Sequence, residues 1–272
     1  MLLRSLAENL KAQNWAAVSI ELLIVTVGVF IGIQVSNWND SRLTVARANL
    51  LTEKLLSDIS LETRNITGVY LYHEDVLANA ERVLQALMGE KEVSNRDLLI
   101  FAFRASQYSI GTIRRSNYEE LVATGGIGLI TDTELKDAVI GYINSPLFDY
   151  VRKSGVESRY RSLLRETIPV AVHREIRLAC GDDARRGNFD FDDPQPGDLM
   201  DFECSPILTQ VQVNAAVAAL RANDSMIPAL RLRIATMDTE LADIKATFID
   251  DEWQRFHNAR AAGIAAAQMT RE

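Results

Sequence analysis

Residues Ala16 to Ser36 read AAVSIELLIVTVGVFIGIQVS, an apolar run that decides where the rest of the chain resides. A helix over this run rises about 1.5 Å per residue and is about 31 Å long, which matches the hydrocarbon thickness of a bilayer. Trp15 and Trp38 flank the run, and tryptophan rings favour the interface between lipid and water. The sequence therefore predicts one membrane-spanning helix over residues 15–38, with the lipid bilayer as its surroundings.

The run does not have the form of a cleaved signal peptide. Such a peptide carries an apolar core of about 7 to 15 residues followed by a small-x-small cleavage site. Here the apolar core is longer and ends in Gln34, Val35 and Ser36. We therefore expect the helix to be retained as an anchor.

The charges beside the span indicate its orientation. The amino terminus, Arg4 and Lys11 precede the span, whereas Arg42 and Arg47 follow it. Positive charge collects on the cytoplasmic side, so this small excess favours a cytoplasmic N-terminus. The prediction is a single-pass protein of the bacterial inner membrane, with a cytoplasmic amphipathic segment before the span and a periplasmic domain after it.

One face of the predicted span carries polar and small residues. Glu21 lies within the apolar run, where a carboxylate costs up to about 3 kcal/mol. Gly28 and Gly32 form a G-x-x-x-G pair, which lets two helices approach closely. We hypothesise that Glu21, Gly28 and Gly32 mediate self-association or contact with another membrane protein. The alternative is that Glu21 extends to the headgroups or is protonated, and that the glycines are merely tolerated.

The composition narrows the fold class and the partners expected for the rest of the chain. The 272 residues are 47% hydrophobic and 24% charged, which is typical of one or two globular domains besides the anchor. The net charge of −8 argues against a nucleic-acid partner, because such a partner requires a basic face.

The two cysteines, Cys180 and Cys204, flank the least regular stretch of the chain. In the oxidising periplasm a disulfide that closes this loop is expected to contribute about 3 kcal/mol. The alternative is two unrelated thiols, one of them buried. A C-x-x-C metal or redox motif is absent from the sequence.

Two long apolar stripes at alternating three- and four-residue spacing dominate the remaining sequence, over residues 55–87 and 226–248. No proline interrupts residues 43–88, so we expect one helix there, continuous with the span and ended by Gly89. Strand patterns are nearly missing. The prediction is an all-α fold in which the two stripes pack as antiparallel members of a helical bundle over residues 39–257.

Shorter helices are predicted between the stripes, each begun by a capping or proline signal. These signals lie at Ser94 or Asn95, Ser116, Thr131, Pro146 and Pro206. Pro169 is expected to kink the helical region 146–178. Residues 258–272 are expected to be flexible or a frayed helix.

Glu62 and His73 interrupt the first apolar stripe. A buried polar layer that sets helix register is one explanation. A kink or a locally solvated seam is the favoured one, and a metal or sensing role for His73 is a third.

No catalytic, cofactor-binding or metal-ligating residues are predicted, and the chain is not expected to be an enzyme. The three histidines, His73, His173 and His257, lack the spacing of a zinc site. The loop at 180–204 is rich in aspartate, the kind of ligand that calcium takes, but it lacks the spacing of a calcium-binding loop. Calcium binding there is left open, with a solvated loop as the default.

The span and its exit run from Ile20-Glu21 through Gly28-Val29-Phe30-Ile31-Gly32-Ile33-Gln34-Val35 to Asn37-Trp38-Asn39-Asp40. This stretch resembles the N-terminal signature of an uncharacterised family of single-pass bacterial membrane proteins. The segment from Tyr118-Glu119-Glu120-Leu121 to Tyr142 is similar to the middle portion of that family's sequences. The family is classed as a domain of unknown function. The resemblance covers roughly the first half of the chain. It implies a membrane-anchored helical protein and supplies no catalytic residues.

These patterns favour a protein that binds or assembles. A scaffold or accessory subunit of an envelope complex is the leading interpretation. The alternative is a periplasmic ligand-sensing module. It would have to signal through a partner, because the predicted cytoplasmic segment is too short for an output domain. A membrane-associated enzyme is the third.

Overall fold

The computed structural model describes residues 15–109, 114–130, 133–182 and 199–249, although the side chains of residues 59, 60, 63, 64, 134, 135 and 138 are not among those described. Over these residues the fold consists of helices with no strand, which confirms the all-α prediction. The helices are α1 (Trp15–Leu87), α2 (Asn95–Ala105), α3 (Ser116–Ala123), a 3-10 turn (Gly126–Leu129), α4 (Thr133–Ile143), α5 (Leu147–Val156), α6 (Arg159–Thr167), α7 (Val170–Cys180), α8 (Gln210–Ala222), α9 (Met226–Ile244) and a terminal π turn (Lys245–Ile249).

The chain divides into two compact units. The anchor unit comprises Met1–Leu55 and Ser116–Lys136, and the bundle unit comprises Leu56–Arg115 and Asp137–Glu272. α1 contributes residues to both units, and its continuity from Trp15 to Leu87 confirms that the predicted span and the first stripe form one helix.

In the anchor unit, a short hairpin lies against α1. The hairpin consists of α3 and the 3-10 turn that follows it. Ala48, Leu51 and Leu55 of α1 are buried, as is Leu121 of α3. Arg47 donates to the Glu120 carboxylate at 2.6 Å. The turn after α3 passes through Gly125, whose positive φ of 72° explains why glycine is needed there.

The core of the bundle unit lies between α1 and the helices that follow it. Apolar side chains from α1, α2, α6, α7, α8 and α9 form one buried cluster, and its largest members include Phe103, Tyr160, Leu164, Ile176, Leu220 and Leu230. The hydroxyl of Tyr160 donates to the Ala102 carbonyl at 3.0 Å, so this buried polar atom has its partner.

α1 and α9 pack in antiparallel orientation. Ile66 of α1 lines the same cleft as Ile244 and Phe248 at the end of α9. Further along α1, Val76 shares a buried cluster with Met237. Because later residues of α1 meet earlier residues of α9, the two stripes run in opposite directions, as predicted.

The start of α2 and the end of α1 follow their sequence signals. Ser94 caps α2 by accepting a hydrogen bond from the Asp97 backbone N–H. Gly89 ends α1 with a positive φ of 77°.

Two predictions about helix boundaries are wrong. The region 146–178 forms three helices, because Ser158 caps α6 and Pro169 begins a new helix at α7 where a kink was expected. α8 begins at Gln210, after a capping box of Thr209 and Gln212, and does not begin at Pro206.

Several predictions lie outside the described residues. These are the amphipathic segment 1–14, the Thr131 capping signal, the middle of the cysteine-bounded loop at 183–198, and the tail 258–272.

Candidate functional site

Among the described residues, α1 is the one helix long and apolar enough to span a membrane. Its most apolar window has a mean hydropathy of 2.4, and none of the residues in that window is buried by the described part of the chain. Trp15 and Trp38 are exposed near the ends of the apolar segment. Their predicted place at the lipid interface stays a prediction.

Glu21, Gly28 and Gly32 share one face of α1, as their spacing requires. A Cβ atom built on Gly28 or Gly32 meets no atom within 4 Å. Glu21 is partly covered. The described part of the chain therefore leaves the glycine pair open, and its role in association stays a prediction.

Cys180 and Cys204 form a disulfide, as predicted, with their Cα atoms 5.3 Å apart. Cys180 ends α7 and is fully buried, whereas Cys204 packs against the bundle core and is partly buried. The bond joins the two ends of the aspartate-rich loop.

Side chains of α1 bind the chain near both ends of that loop. The hydroxyl of Tyr72 donates to the Asp182 carboxylate at 3.1 Å, shortly after Cys180. Shortly before Cys204, the Asp75 carboxylate accepts hydrogen bonds from the backbone N–H groups of Leu199, at 3.2 Å, and Met200, at 2.9 Å. A buried carboxylate with two backbone donors satisfies three polar groups at once, which explains why Asp75 tolerates burial.

Asp201 is the centre of a second set of contacts at the same end. The Asn79 amide donates to it at 2.9 Å, and the Arg82 guanidinium lies 2.7 Å from it. Arg104 lies 3.7 Å from Asp201 and donates to the Phe202 carbonyl at 2.6 Å. Burial lowers the pKa of Arg104, and the charge of Asp201 opposes that effect. These polar side chains fasten the returning chain to the bundle.

A buried polar layer lies between α1 and α9. His73 is 1% exposed and Glu240 is fully buried, and the Nδ1 of His73 lies 3.9 Å from a Glu240 carboxylate oxygen. The Nε2 of His73 lies 2.9 Å from the Ser109 carbonyl oxygen and 3.4 Å from the Ser109 backbone nitrogen. Arg233, also on α9, donates to the Gln107 carbonyl at 2.9 Å.

Burial governs the ionisation of this layer. It lowers the pKa of His73 to about 4, and the charge of Arg233 lowers it further. Burial also raises the pKa of Glu240, while the Ser154 hydroxyl and Arg233 oppose that rise. His73 and Glu240 are buried, so this layer is not the locally solvated seam that the sequence favoured.

Glu62 forms the other polar position of the first stripe, and it is also buried. One carboxylate oxygen accepts from the Arg114 backbone N–H at 3.2 Å and from its guanidinium at 3.0 Å. The other oxygen accepts from the Tyr142 hydroxyl at 3.2 Å. Burial, followed by the charge of Glu62, raises the pKa of Tyr142 above its usual range. Of the explanations open from sequence, the buried polar layer fits both Glu62 and His73.

Sequence reasoning missed Arg233 and Glu240. The apolar stripe over residues 226–248 passes through Ile234 and Leu241, each of which follows one of these two charged residues directly. The spacing Leu230, Arg233, Met237, Glu240, Ile244 fits the same three-four pattern, but it contains two charges, and apolar periodicity passes over charged positions.

Two of the concave features formed by described residues lie in the bundle unit. An apolar cleft lined by Ile66, Val69, Phe148 and Phe248 has a volume of about 20 Å³, close to the space of one water molecule. A second pocket, between Leu87 and the α8–α9 turn, measures about 210 Å³. Both are smaller than the 300 Å³ or so at which pockets for organic ligands begin.

Within residues 15–109, 114–130, 133–182 and 199–249, no group of three or more His, Cys, Asp or Glu side chains is arranged to hold a metal ion. His73 and His173 are separated: His73 contacts Ser109, whereas His173 packs on Phe103. His257 and the central aspartates of the loop lie outside the described residues, so the calcium question stays open. No family model, no curated protein and no solved structure matches this chain.

Proposed function

We propose that this protein is a non-catalytic scaffold or accessory subunit of a bacterial envelope complex. In this proposal residues 15–38 anchor it in the inner membrane, and the bundle lies in the periplasm. The observation that carries the proposal is the division of surfaces in α1. Its N-terminal part exposes apolar side chains, while polar side chains in its bundle part, such as Glu62 and Asp75, bind backbone and side-chain groups of the same chain.

Several buried polar side chains of the bundle bind other parts of the same chain. Asp75 holds the backbone at Leu199 and Met200, shortly before Cys204, and Glu62 holds Arg114 and Tyr142. An active site or ligand site instead aims polar groups into a pocket of suitable size. The apolar cleft and the polar pocket of the bundle are both small, which supports a binding role through surfaces.

Two observations support the proposed compartment, the disulfide and the flanking charges. Disulfides persist in the periplasm and are rare in the bacterial cytoplasm. The Cys180–Cys204 bond supports a periplasmic bundle, and the positive charges before the span support a cytoplasmic N-terminus.

The proposed contact with other membrane helices uses the face of Glu21, Gly28 and Gly32. Small residues at this spacing allow close helix packing, and among the described residues no atom lies within 4 Å of a Cβ built on Gly28 or Gly32. In this proposal the partner helix belongs either to a second copy of the chain or to another membrane protein.

Purification from detergent-solubilised membranes tests the scaffold function. We expect wild-type protein to co-purify with itself or with a membrane partner in fixed proportion. The double variant Glu21→Ala with Gly28→Ile is expected to lose that association several-fold. Thr26→Ile is the matched control, because it adds bulk at similar depth on a different helix face. A monomer without partners in wild type and variants alike would contradict the proposal.

Orientation is tested with a cysteine at the exposed position Glu157. In this Glu157→Cys variant the native disulfide leaves the new thiol as the reactive one. A membrane-impermeant maleimide is expected to label it in cells with a permeabilised outer membrane. A Ser5→Cys variant is expected to react only after lysis. The reverse pattern would place the bundle in the cytoplasm.

A further inference from the structure

We infer that a basic patch on α6 and α7, formed by Arg161, Arg165, His173 and Arg177, binds an acidic segment of a partner protein. This inference rests on the proposed function, because it names the chemistry of the partner that the bundle holds in an envelope complex. It concerns a surface of the bundle unit and does not involve the membrane span.

The helices α5 to α7 are basic in a chain that is acidic as a whole. Residues 147–180 contain seven Lys or Arg and four Asp or Glu, whereas the net charge of the chain is −8. Arg161 and Arg165 of α6 are four residues apart, and His173 and Arg177 of α7 have the same spacing. Side chains at this spacing are neighbours on one face of a helix, so each helix contributes one pair to the patch.

The end of α2 brings the two pairs together. Arg161 donates to the Ser106 carbonyl at 2.6 Å, and its guanidinium lies over the Tyr108 ring, 4.9 Å from the ring centroid. The ring of His173 packs edge-on against Phe103, with the ring centroids 5.4 Å apart. Phe103 and Ser106 are one turn apart at the end of α2. Arg161 and His173 are therefore held next to the same end of one helix.

The positive charges of the basic patch repel one another. Burial lowers the pKa of His173, and the charges of three arginines lower it further, in the order Arg165, Arg161 and Arg177. Arg165 and Arg177 are both exposed, and the ion pairs formed within the described part of the chain include neither of them. A negatively charged partner at this position is attracted by several cations at once.

The form of the patch favours an acidic polypeptide over a small anion. One exposed ion pair contributes little to affinity, because water screens it, so a partner has to contact several cations together. Neither the apolar cleft nor the second pocket of the bundle is lined by a residue of the patch, so no described concavity there encloses a small ion. A run of Asp or Glu side chains meets several guanidinium groups, each of which can bind a carboxylate in bidentate fashion.

The surroundings of the patch resemble a protein interface. Val170 and Leu178 of α7 are 68% and 59% exposed, and they place apolar surface beside the arginines. Arginine is enriched in protein interfaces and lysine is depleted there, and the three permanent cations of the patch are all arginine. The same segment of a partner can therefore make both ionic and apolar contacts.

Fluorescence anisotropy of the full chain in non-ionic detergent tests this inference, with fluorescein-labelled poly-L-glutamate as the probe. We expect wild-type protein to bind the probe at low salt and to lose affinity several-fold as salt is added, because salt screens exposed charges. The double variant Arg165→Glu with Arg177→Glu is expected to bind about tenfold more weakly.

Arg221→Glu with Arg231→Glu is the matched control. Both arginines are exposed, on α8 and α9, and their replacement changes the net charge by the same amount. The affinity of this control is expected to stay within about twofold of wild type, because screening confines the effect of exposed charges to short range. The milder variant Arg165→Gln with Arg177→Gln is expected to lie between wild type and the glutamate variant, and it decides the matter if the glutamate variant loses its helical circular dichroism.

Equal weakening by the two glutamate variants would overturn the inference, because net charge alone would then govern binding. A wild-type chain that does not bind poly-L-glutamate would overturn it as well. Vesicles of phosphatidylglycerol and phosphatidylcholine are the second probe. If Arg165 and Arg177 are needed for binding to these vesicles but not to poly-L-glutamate, the anionic partner is lipid and the inference is wrong.

Co-purification from solubilised membranes separates this failure from failure of the proposed function. We expect Arg165→Glu with Arg177→Glu to lose the co-purifying partner several-fold. If the partner is retained and poly-L-glutamate binding is unchanged, the scaffold function stands and the basic patch is not its docking surface. A wild-type chain that co-purifies with nothing contradicts both.

Discussion

The two parts of α1 follow one spacing rule but meet different surroundings. Between Val25 and Val45 the apolar side chains of α1 are exposed. Between Glu62 and Ala86 the apolar stripe is buried against the rest of the bundle, and its polar interruptions, Glu62 and His73, are buried with it. The periodicity of apolar residues thus indicates which face of a helix packs against apolar surroundings. It does not indicate whether those surroundings are the same chain, lipid or another copy.

The largest expected effect separates covered from uncovered apolar residues. Leu230 is fully buried in the core, whereas Leu23 is exposed on α1. Leu230→Ala is expected to lower the free energy of unfolding by about 4 kcal/mol, because it leaves a cavity. Leu23→Ala is expected to change it by less than about 0.5 kcal/mol. Denaturant unfolding of the detergent-solubilised chain, followed by circular dichroism, measures both. Similar losses would show that Leu23 packs against protein.

The disulfide is expected to have the next largest effect. Replacing Cys180 and Cys204 together by alanine is expected to cost about 3.5 kcal/mol, the loop entropy that the bond removes from the unfolded chain. The same unfolding measurement detects the loss, and added reductant is expected to destabilise the wild type to a similar degree while leaving the variant unchanged. If reductant destabilises the double variant as well, the loss has another source.

Acid is expected to destabilise the buried part of α1 through His73. Its pKa falls from 6.5 to about 4 on folding, so the unfolded chain binds the proton first. Stability is therefore lost as the pH drops below 6.5, and the loss approaches about 3 kcal/mol near pH 4. The raised pKa of Glu240 acts in the opposite direction.

Comparing wild type with His73→Gln isolates the histidine, because glutamine can still donate to Ser109 but does not titrate. Unfolding curves between pH 7 and pH 4 are expected to fall less steeply for the variant. Parallel curves would show that the His73 side chain is open to water or that its proton is held in the folded state.

The smallest expected effect lies in the anchor unit. The side chains of Arg47 and Glu120 are 61% and 43% exposed, so their ion pair is screened by solvent. Arg47→Ala is expected to change the free energy of unfolding by less than about 0.5 kcal/mol. A double-mutant cycle with Glu120→Ala measures the coupling. A coupling well above about 1 kcal/mol would show that the hairpin depends on this pair.

Much of the helical framework could be read from the sequence, because its signals are local. Gly89 and Ser94 mark helix ends by their own backbone preferences. The cysteines marked the closed loop by their placement alone. The three-helix division of 146–178 was missed, since the apolar pattern continues across Ser158 and conceals the break.

The sequence by itself determined the apolar span, the two stripes and the all-α class, because each depends on periodicity along a single helix. Only the tertiary structure decided which polar groups meet: Glu62 with Arg114 and Tyr142, and His73 with Glu240. Such pairings depend on how far each helix is shifted and rotated against its neighbours. Those two quantities arise from packing many side chains together, and they have no signature in the spacing of any one helix.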